Sequence, residues 1–200
     1  MWSFDRSRDA NKIETEEINW KGPFAWPGFE SINNLESIPD ISGVYLFTFD
    51  FKEEYLLYGA GITKSTRQRI STHGREYRKG NYTVLDTESA ILGERREIWH
   101  GWNYAKTHQE EFILRKATIL EAVENQLQAF RIFVAEVSDV RKRERMEAAI
   151  MHNLYCSKEY WSELADRGMF LKERWNSEMP ILIRNISSKK IFGIPEFLEI

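Results

Sequence analysis

The hydrophobic and polar positions divide the chain into segments of different period. Gly43-Val44-Tyr45-Leu46-Phe47-Thr48-Phe49 is dense in β-branched and aromatic residues and predicts a strand. Tyr55-Leu56-Leu57-Tyr58 predicts a second strand, stopped by Gly59-Ala60-Gly61. Polar residues from Asp50 to Glu54, broken only by Phe51, join the two as a β-hairpin. With its centre between Phe51 and Lys52, the hairpin sets Tyr45 opposite Tyr58 on one face. Ser65-Thr66-Arg67-Gln68 has the form of a capping box and predicts a helix that Gly74 would end. From about 107 to 128 the period is helical, with Ile113, Ala117, Leu120 and Leu127 as its apolar stripe. Residues 130–137 read as a third strand, and Ser138 and Asp139 offer caps for a helix over 140–155. Ile181-Leu182-Ile183 after Pro180 reads as a further strand, and a short element follows around 191–198.

Residues 1–40 have little periodicity. They carry Trp2, Trp20, Phe24, Trp26 and Phe29 and suggest an extended arm whose aromatic side chains cover a core. The resulting expectation is one α+β domain over 1–200: a small, largely antiparallel three-stranded sheet flanked by helices. Its core would span 43–155, with a helical insertion at about 87–129, an N-terminal arm over 1–40 and a C-terminal extension over 156–200.

Composition narrows the function classes. Apolar content of 42% and charged content of 30% describe a globular chain. No apolar run approaches the roughly 18 residues of a membrane span, and the polar start, Met1 to Lys12, is unlike a secretory signal. The single cysteine, Cys156, excludes an intramolecular disulfide and any site built on several thiolates, and it fits a cytoplasmic protein. A net charge of −3 means that any nucleic-acid contact must use local positive charge. Such charge exists: Lys64, Arg67, Arg69, Arg75, Arg78 and Lys79 fall within one short segment opposed only by Glu76. Arginine offers paired donors to phosphate oxygens. A second basic run, Arg141-Lys142-Arg143, precedes Glu147.

Two residue pairs stand out on the predicted helices. Arg69 and His73 are four apart and share a helix face. Glu147 shares its face with Ile150, Met151 and Leu154. A carboxylate on an apolar stripe is costly to bury alone. It needs either an ion pair, with Arg143 one turn earlier as the nearest candidate, or a cation from outside.

Taken in order, Gly43-Val44-Tyr45, Tyr58 with Gly59-Ala60-Gly61, Arg69, His73 and the helix segment Arg145-Met146-Glu147-Ala148-Ala149-Ile150 resemble the GIY-YIG nuclease family. The resemblance covers about 43–79 and 130–155. The chain departs from the family pattern after Tyr58, where Gly61 comes one place late, and this leaves Arg67 as an alternative to Arg69.

The resemblance implies a metal-dependent endonuclease that hydrolyses DNA phosphodiester bonds, in restriction or genome defence. It implies Mg²⁺ or Mn²⁺ held by Glu147 and Tyr45 as general base supported by Tyr58. Arg69 would stabilise the phosphate charge, and His73 would orient Tyr45 or contact phosphate. Lys64, Arg67, Arg75, Arg78, Lys79 and Arg143 would contact the nucleic acid, together with Asn176, to which Asn153 is the alternative. Double-strand cutting from a single site would call for a homodimer or sequential nicks. A repair or recombination nuclease, or a nucleic-acid-binding module without catalysis, would carry the same residues.

Overall fold

The computed structural model describes residues 13–200; Trp2 and the first twelve positions lie outside them. In chain order the strands are β1 (Glu14–Ala25), β2 (Gly43–Phe51), β3 (Glu54–Thr63), β4 (Val84–Leu85), β5 (Glu97–Trp99), β6 (Arg131–Glu136), β7 (Ile181–Ser187), β8 (Ile191–Phe192) and β9 (Phe197–Glu199). The helices are α1 (Glu30–Asn33), α2 (Thr66–Arg78), α3 (Thr87–Ile91), α4 (Trp102–Thr107), α5 (Gln109–Leu114), α6 (Lys116–Ala129) and α7 (Val140–Tyr155).

Seven strands form one sheet in the order β8-β3-β2-β6-β1-β7-β9, and β4 and β5 form a separate ribbon. This corrects the expectation of a small three-stranded sheet. The predicted strands β2, β3 and β6 are its centre, joined antiparallel. Both ends of the chain extend it. The aromatic arm is a strand, β1, antiparallel to β6 and parallel to β7. Its Ile18 and Trp20 alternate inward between the exposed polar residues Glu17, Asn19 and Lys21, so its apolar pattern becomes visible only once its two partners are known. The sheet is mixed because β8 also runs parallel to β3.

The hairpin departs from the expected register. Lys52 and Glu53 form a two-residue turn with φ of 49° and 64°, the backbone of a type I′ hairpin. Phe51 therefore faces Glu54, and closer to the site a bulge falls between Phe47↔Gly59 and Thr48↔Leu57. Tyr58 is the extra residue of that bulge. Tyr45 consequently faces Gly61 rather than Tyr58. The two tyrosines still reach one aromatic cluster, through Phe47 and Phe130.

Helix α2 begins where expected, with Ser65 Oγ accepting from Gln68 N at 3.2 Å. It does not stop at Gly74. An added Cβ there would meet the flexible end of Arg78 at 3.2 Å and the Trp26 indole at an ordinary 3.5 Å. The helical stretch from 107 is broken into α5 and α6, and its buried stripe is Ile119, Val123, Gln126 and Leu127, with Ile113 exposed. Helix α7 matches its expected span, and its N-cap Asp139 accepts from Lys142 N at 2.6 Å. It packs against β2 and β3. None of the described helices is long and apolar enough to cross a membrane.

Candidate active site

The bulged hairpin, α2 and α7 meet around a cavity of about 360 Å³. Tyr45, Arg69, His73 and Glu147 line it together. They come from β2, α2 and α7, so folding joins residues separated by up to about a hundred positions.

Tyr45 is 2% exposed, and its ring lies across Gly61. Its hydroxyl sits 2.7 Å from His73 Nε2. Arg69 Nε donates to the same oxygen at 3.2 Å. Because Arg69 can only donate, the tyrosine oxygen accepts from it and the tyrosine proton points to Nε2. Burial pushes the Tyr45 hydroxyl up to about 12, although the Arg69 charge pulls the other way. Burial, followed by the Arg69 charge, pushes His73 down to about 3. The resting pair is thus a neutral phenol donating to a neutral imidazole, with a guanidinium beside them. The α2 spacing explains the geometry, since Arg69 and His73 lie one helical turn apart and both reach Tyr45.

The depressed His73 has a measurable consequence for stability. Unfolded histidine protonates near pH 6.5 and the folded group near 3, so its contribution is present above about 6.5 and is lost as pH falls toward 3. The charged groups acting on it are Arg69 and Glu76. Between pH 6.5 and 5 the loss should be about 2 kcal/mol, at about 1.4 kcal/mol per pH unit. Thermal melts of the parent and His73→Gln at pH 7.5 and 5 should therefore show the gap between them narrowing in acid. A gap that is constant with pH would contradict a neutral buried imidazole.

Glu147 makes no ion pair with Arg143. Arg143 is 3% exposed and donates to Ser42 Oγ and, at 2.5 Å, to Thr63 O, which takes it off the surface. No hydrogen bond or ion pair of the Glu147 side chain is present among the described residues, and its carboxylate opens on the cavity. Burial pushes it up to about 7; Arg69 and Lys172 oppose this, and Glu144 adds to it. This donor suits a hard divalent cation, which would supply the missing counter-charge. Among the described residues no group of three or more His, Cys, Asp or Glu side chains is placed to hold a metal ion. Glu147 would be the α7 ligand of such a site, with waters and substrate phosphate oxygens filling other positions, as is usual for Mg²⁺.

Tyr58 is fully buried and does not line the cavity. Burial, with the Asp166 charge beside it, holds its hydroxyl well above the ordinary tyrosine range. Asp166 does line the cavity. The bulge explains its position, because the carbonyl of the bulged Tyr58 accepts from Asp166 N at 2.7 Å, while Tyr155 Oη donates to Asp166 O at 2.6 Å. Packing raises the Asp166 carboxyl to about 6, against Arg95, the Arg167 N–H and the nearby Trp102 and Tyr58 side chains. The indole of Trp102 lies beside it, yet Nε1 has no hydrogen bond of good geometry. A buried donor left so costs about 1–3 kcal/mol. No sequence signal pointed to Asp166, which sits in an aperiodic segment and is located only by the bulge. Tyr77, Tyr82 and Trp102 complete an aromatic wall.

The remaining basic residues divide. Lys64, Arg67 and Arg75 are exposed, with Arg75 donating to Thr72 Oγ1. Arg67 is tied to Asp40 through its backbone N–H and does not meet Tyr45, whereas Arg69 does. Arg78 pairs with Glu124 at 2.6 Å and Lys79 with Glu76 at 3.1 Å. Asn176 lies in an exposed turn outside the cavity lining, and Asn153 donates to Gly193 O. Compared with known protein families, curated proteins and solved structures, the chain matches none.

Proposed function

We propose that this protein is a metal-dependent endonuclease that hydrolyses DNA phosphodiester bonds, acting in the cytoplasm in restriction or genome defence. The observation that carries the reading is the Tyr45 hydroxyl held between His73 Nε2 and Arg69 Nε in a cavity shared with the unpaired Glu147 carboxylate. The biological setting rests on the GIY-YIG resemblance alone.

Each group has a task within the hydrolysis. The Tyr45 oxygen takes a proton from the attacking water as its own proton passes to His73 Nε2. A phosphodiester anion on Arg69 offsets the guanidinium charge that helps depress His73, so substrate binding itself makes the imidazole a better acceptor. Only Nε of Arg69 is engaged by Tyr45, which leaves its terminal nitrogens for the phosphate oxygens. A divalent cation at Glu147 would polarise the phosphate and offset charge on the leaving oxygen. That oxygen takes its proton from solvent.

Tyr45→Phe keeps the ring and removes the relay. Nicking of supercoiled plasmid with Mg²⁺ should fall by about 10²–10⁴-fold, while unfolding stability changes by only about 1–2 kcal/mol. A folded variant that nicks at the parental rate would sink the assignment. DNA binding that weakens steeply with salt, without nicking by the parent, would make the protein a binder instead.

A further inference from the structure

The part of the cavity beyond the Tyr45 hydroxyl is not needed to hold a phosphate. Rings follow one another along it: Tyr45 to His73 at 5.7 Å, His73 to Tyr82 at 5.4 Å, and Tyr82 to Trp102 at 5.1 Å. Asp166 lies beside Trp102 at that end. The ring series sets Trp102 and its neighbour Asp166 at the far end from Tyr45 and Arg69. One end carries the groups suited to a phosphodiester, and the other is apolar, aromatic and ends on a carboxylate.

We propose that the Trp102–Asp166 end of the cavity receives an unpaired guanine base adjoining the scissile phosphate, its Watson–Crick edge bound by the Asp166 carboxylate. The proposal rests on the phosphodiesterase reading for the position of the backbone. An aromatic-walled pocket suits a flat ring, and enzymes that take a base out of its stack hold it by stacking and by hydrogen bonds to that edge. The volume lies in the range of small-ligand sites. A carboxylate has about four acceptor positions. The Tyr58 hydroxyl, the Arg167 N–H and the Trp102 indole all act on the Asp166 carboxyl and lower it against the effect of burial. The paired oxygens of a carboxylate match the adjacent N1–H and N2–H donors of guanine, whereas each other base offers a carboxylate one donor group on that edge. The unpartnered indole N–H of Trp102 stands next to Asp166, a donor of the kind that guanine O6 accepts. Asp166 is partly open to the cavity despite its dense packing, so a base reaches it without unfolding the segment that carries it.

The test uses the full chain, Ca²⁺ in place of Mg²⁺, and fluorescently labelled single-stranded oligothymidine with one central guanine, inosine or abasic residue. Guanine should bind about tenfold more tightly than inosine, which lacks the N2 amine, and more tightly still than the abasic strand. Asp166→Asn, close to the parent in shape, should bind guanine and inosine strands within about twofold of each other. Equal affinity of the parent for guanine and inosine would overturn the proposal, as would discrimination that survives in Asp166→Asn. Plasmid nicking with Mg²⁺, run in parallel, separates the two readings. Nicking without guanine discrimination removes the base pocket and keeps the nuclease, and discrimination without nicking does the reverse.

Discussion

Glu147→Gln is expected to abolish nicking and, at pH 8, to make the protein more stable than the parent. The parent holds a carboxylate with no hydrogen bond or ion pair against an apolar helix face, and burial raises it from 4.5 to about 7. Between those values the folded state binds more protons than the unfolded one, so stability falls as pH rises through that window. At pH 8 the whole penalty is present. At about 1.4 kcal/mol per pH unit, and allowing for its partial exposure to the cavity, the penalty is about 2 kcal/mol. Glutamine has the same shape and no charge. For a chain of this length the gain should raise Tm by about 4–8 °C, and most of the gain should vanish at pH 5, where the folded parent is protonated.

A divalent cation should distinguish the two proteins. Mg²⁺ in excess should raise the Tm of the parent at pH 8, because a ligand of the folded state stabilises it, and should leave Glu147→Gln unmoved. Differential scanning calorimetry at both pH values, with and without Mg²⁺, reads all three effects without any substrate. Destabilisation by Glu147→Gln at pH 8 would mean that the carboxylate has a structural partner. Stabilisation with nicking retained would keep the electrostatic description and remove Glu147 from catalysis. The same trade is expected wherever an active site stores an unpaired charge for its cofactor or substrate.

What the sequence revealed follows the range of the interactions that create each element. The helix carrying Glu147 was legible residue by residue, because its cap at Asp139 and its apolar spacing are local. The strand carrying Tyr45 was legible because its apolar run is local too, but the expected stop of its partner at Gly59–Gly61 was wrong, since that strand continues through both glycines to Thr63. The arm was not. Glu14–Ala25 has three glutamates, one lysine and a proline, and it becomes a strand by pairing with residues 131–134 on one side and 181–187 on the other. Only tertiary contact can override so weak a propensity. The Tyr45–His73–Arg69 contact was partly legible, since the four-residue spacing put both α2 side chains on one face, but their target was not fixed by it. Asp166 was illegible. It is placed by a carbonyl that a bulge releases, and the bulge was hidden because the turn residues Lys52-Glu53 lack the glycine that usually marks a type I′ turn.

The same bulge gives a sharp expectation for the two glycines that follow Tyr58. Gly61→Ala should be severe and Gly59→Ala mild, although both lie in one strand and share the same intrinsic β propensity. A Cβ on residue 61 would stand 2.1 Å from Tyr45 Oη and 2.2 Å from Cζ. Tyr45 has little room to retreat, with Phe47 at 5.1 Å and His73 at 5.7 Å between ring centres. Overpacking of this kind costs about 1–3 kcal/mol, and displacing the ring also breaks the hydrogen bonds to His73 and Arg69, each worth about 1 kcal/mol. A loss of about 3 kcal/mol, or about 6–12 °C in Tm, should accompany complete loss of nicking. A Cβ on residue 59 meets only Asp166 Cβ at 3.5 Å, an ordinary contact, so Gly59→Ala should shift stability by less than about 1 kcal/mol. The mechanism predicts a coupling: in a Tyr45→Ala background the ring is gone, and Gly61→Ala should then cost no more than Gly59→Ala does in the parent. Denaturant unfolding of the four single and double variants measures that coupling directly. Equal costs at 59 and 61, or a cost at 61 that persists without the tyrosine ring, would show that Gly61 serves the backbone rather than the seat of Tyr45. The late glycine after Tyr58, out of step with the family pattern, would then need another explanation than the ring that crosses it.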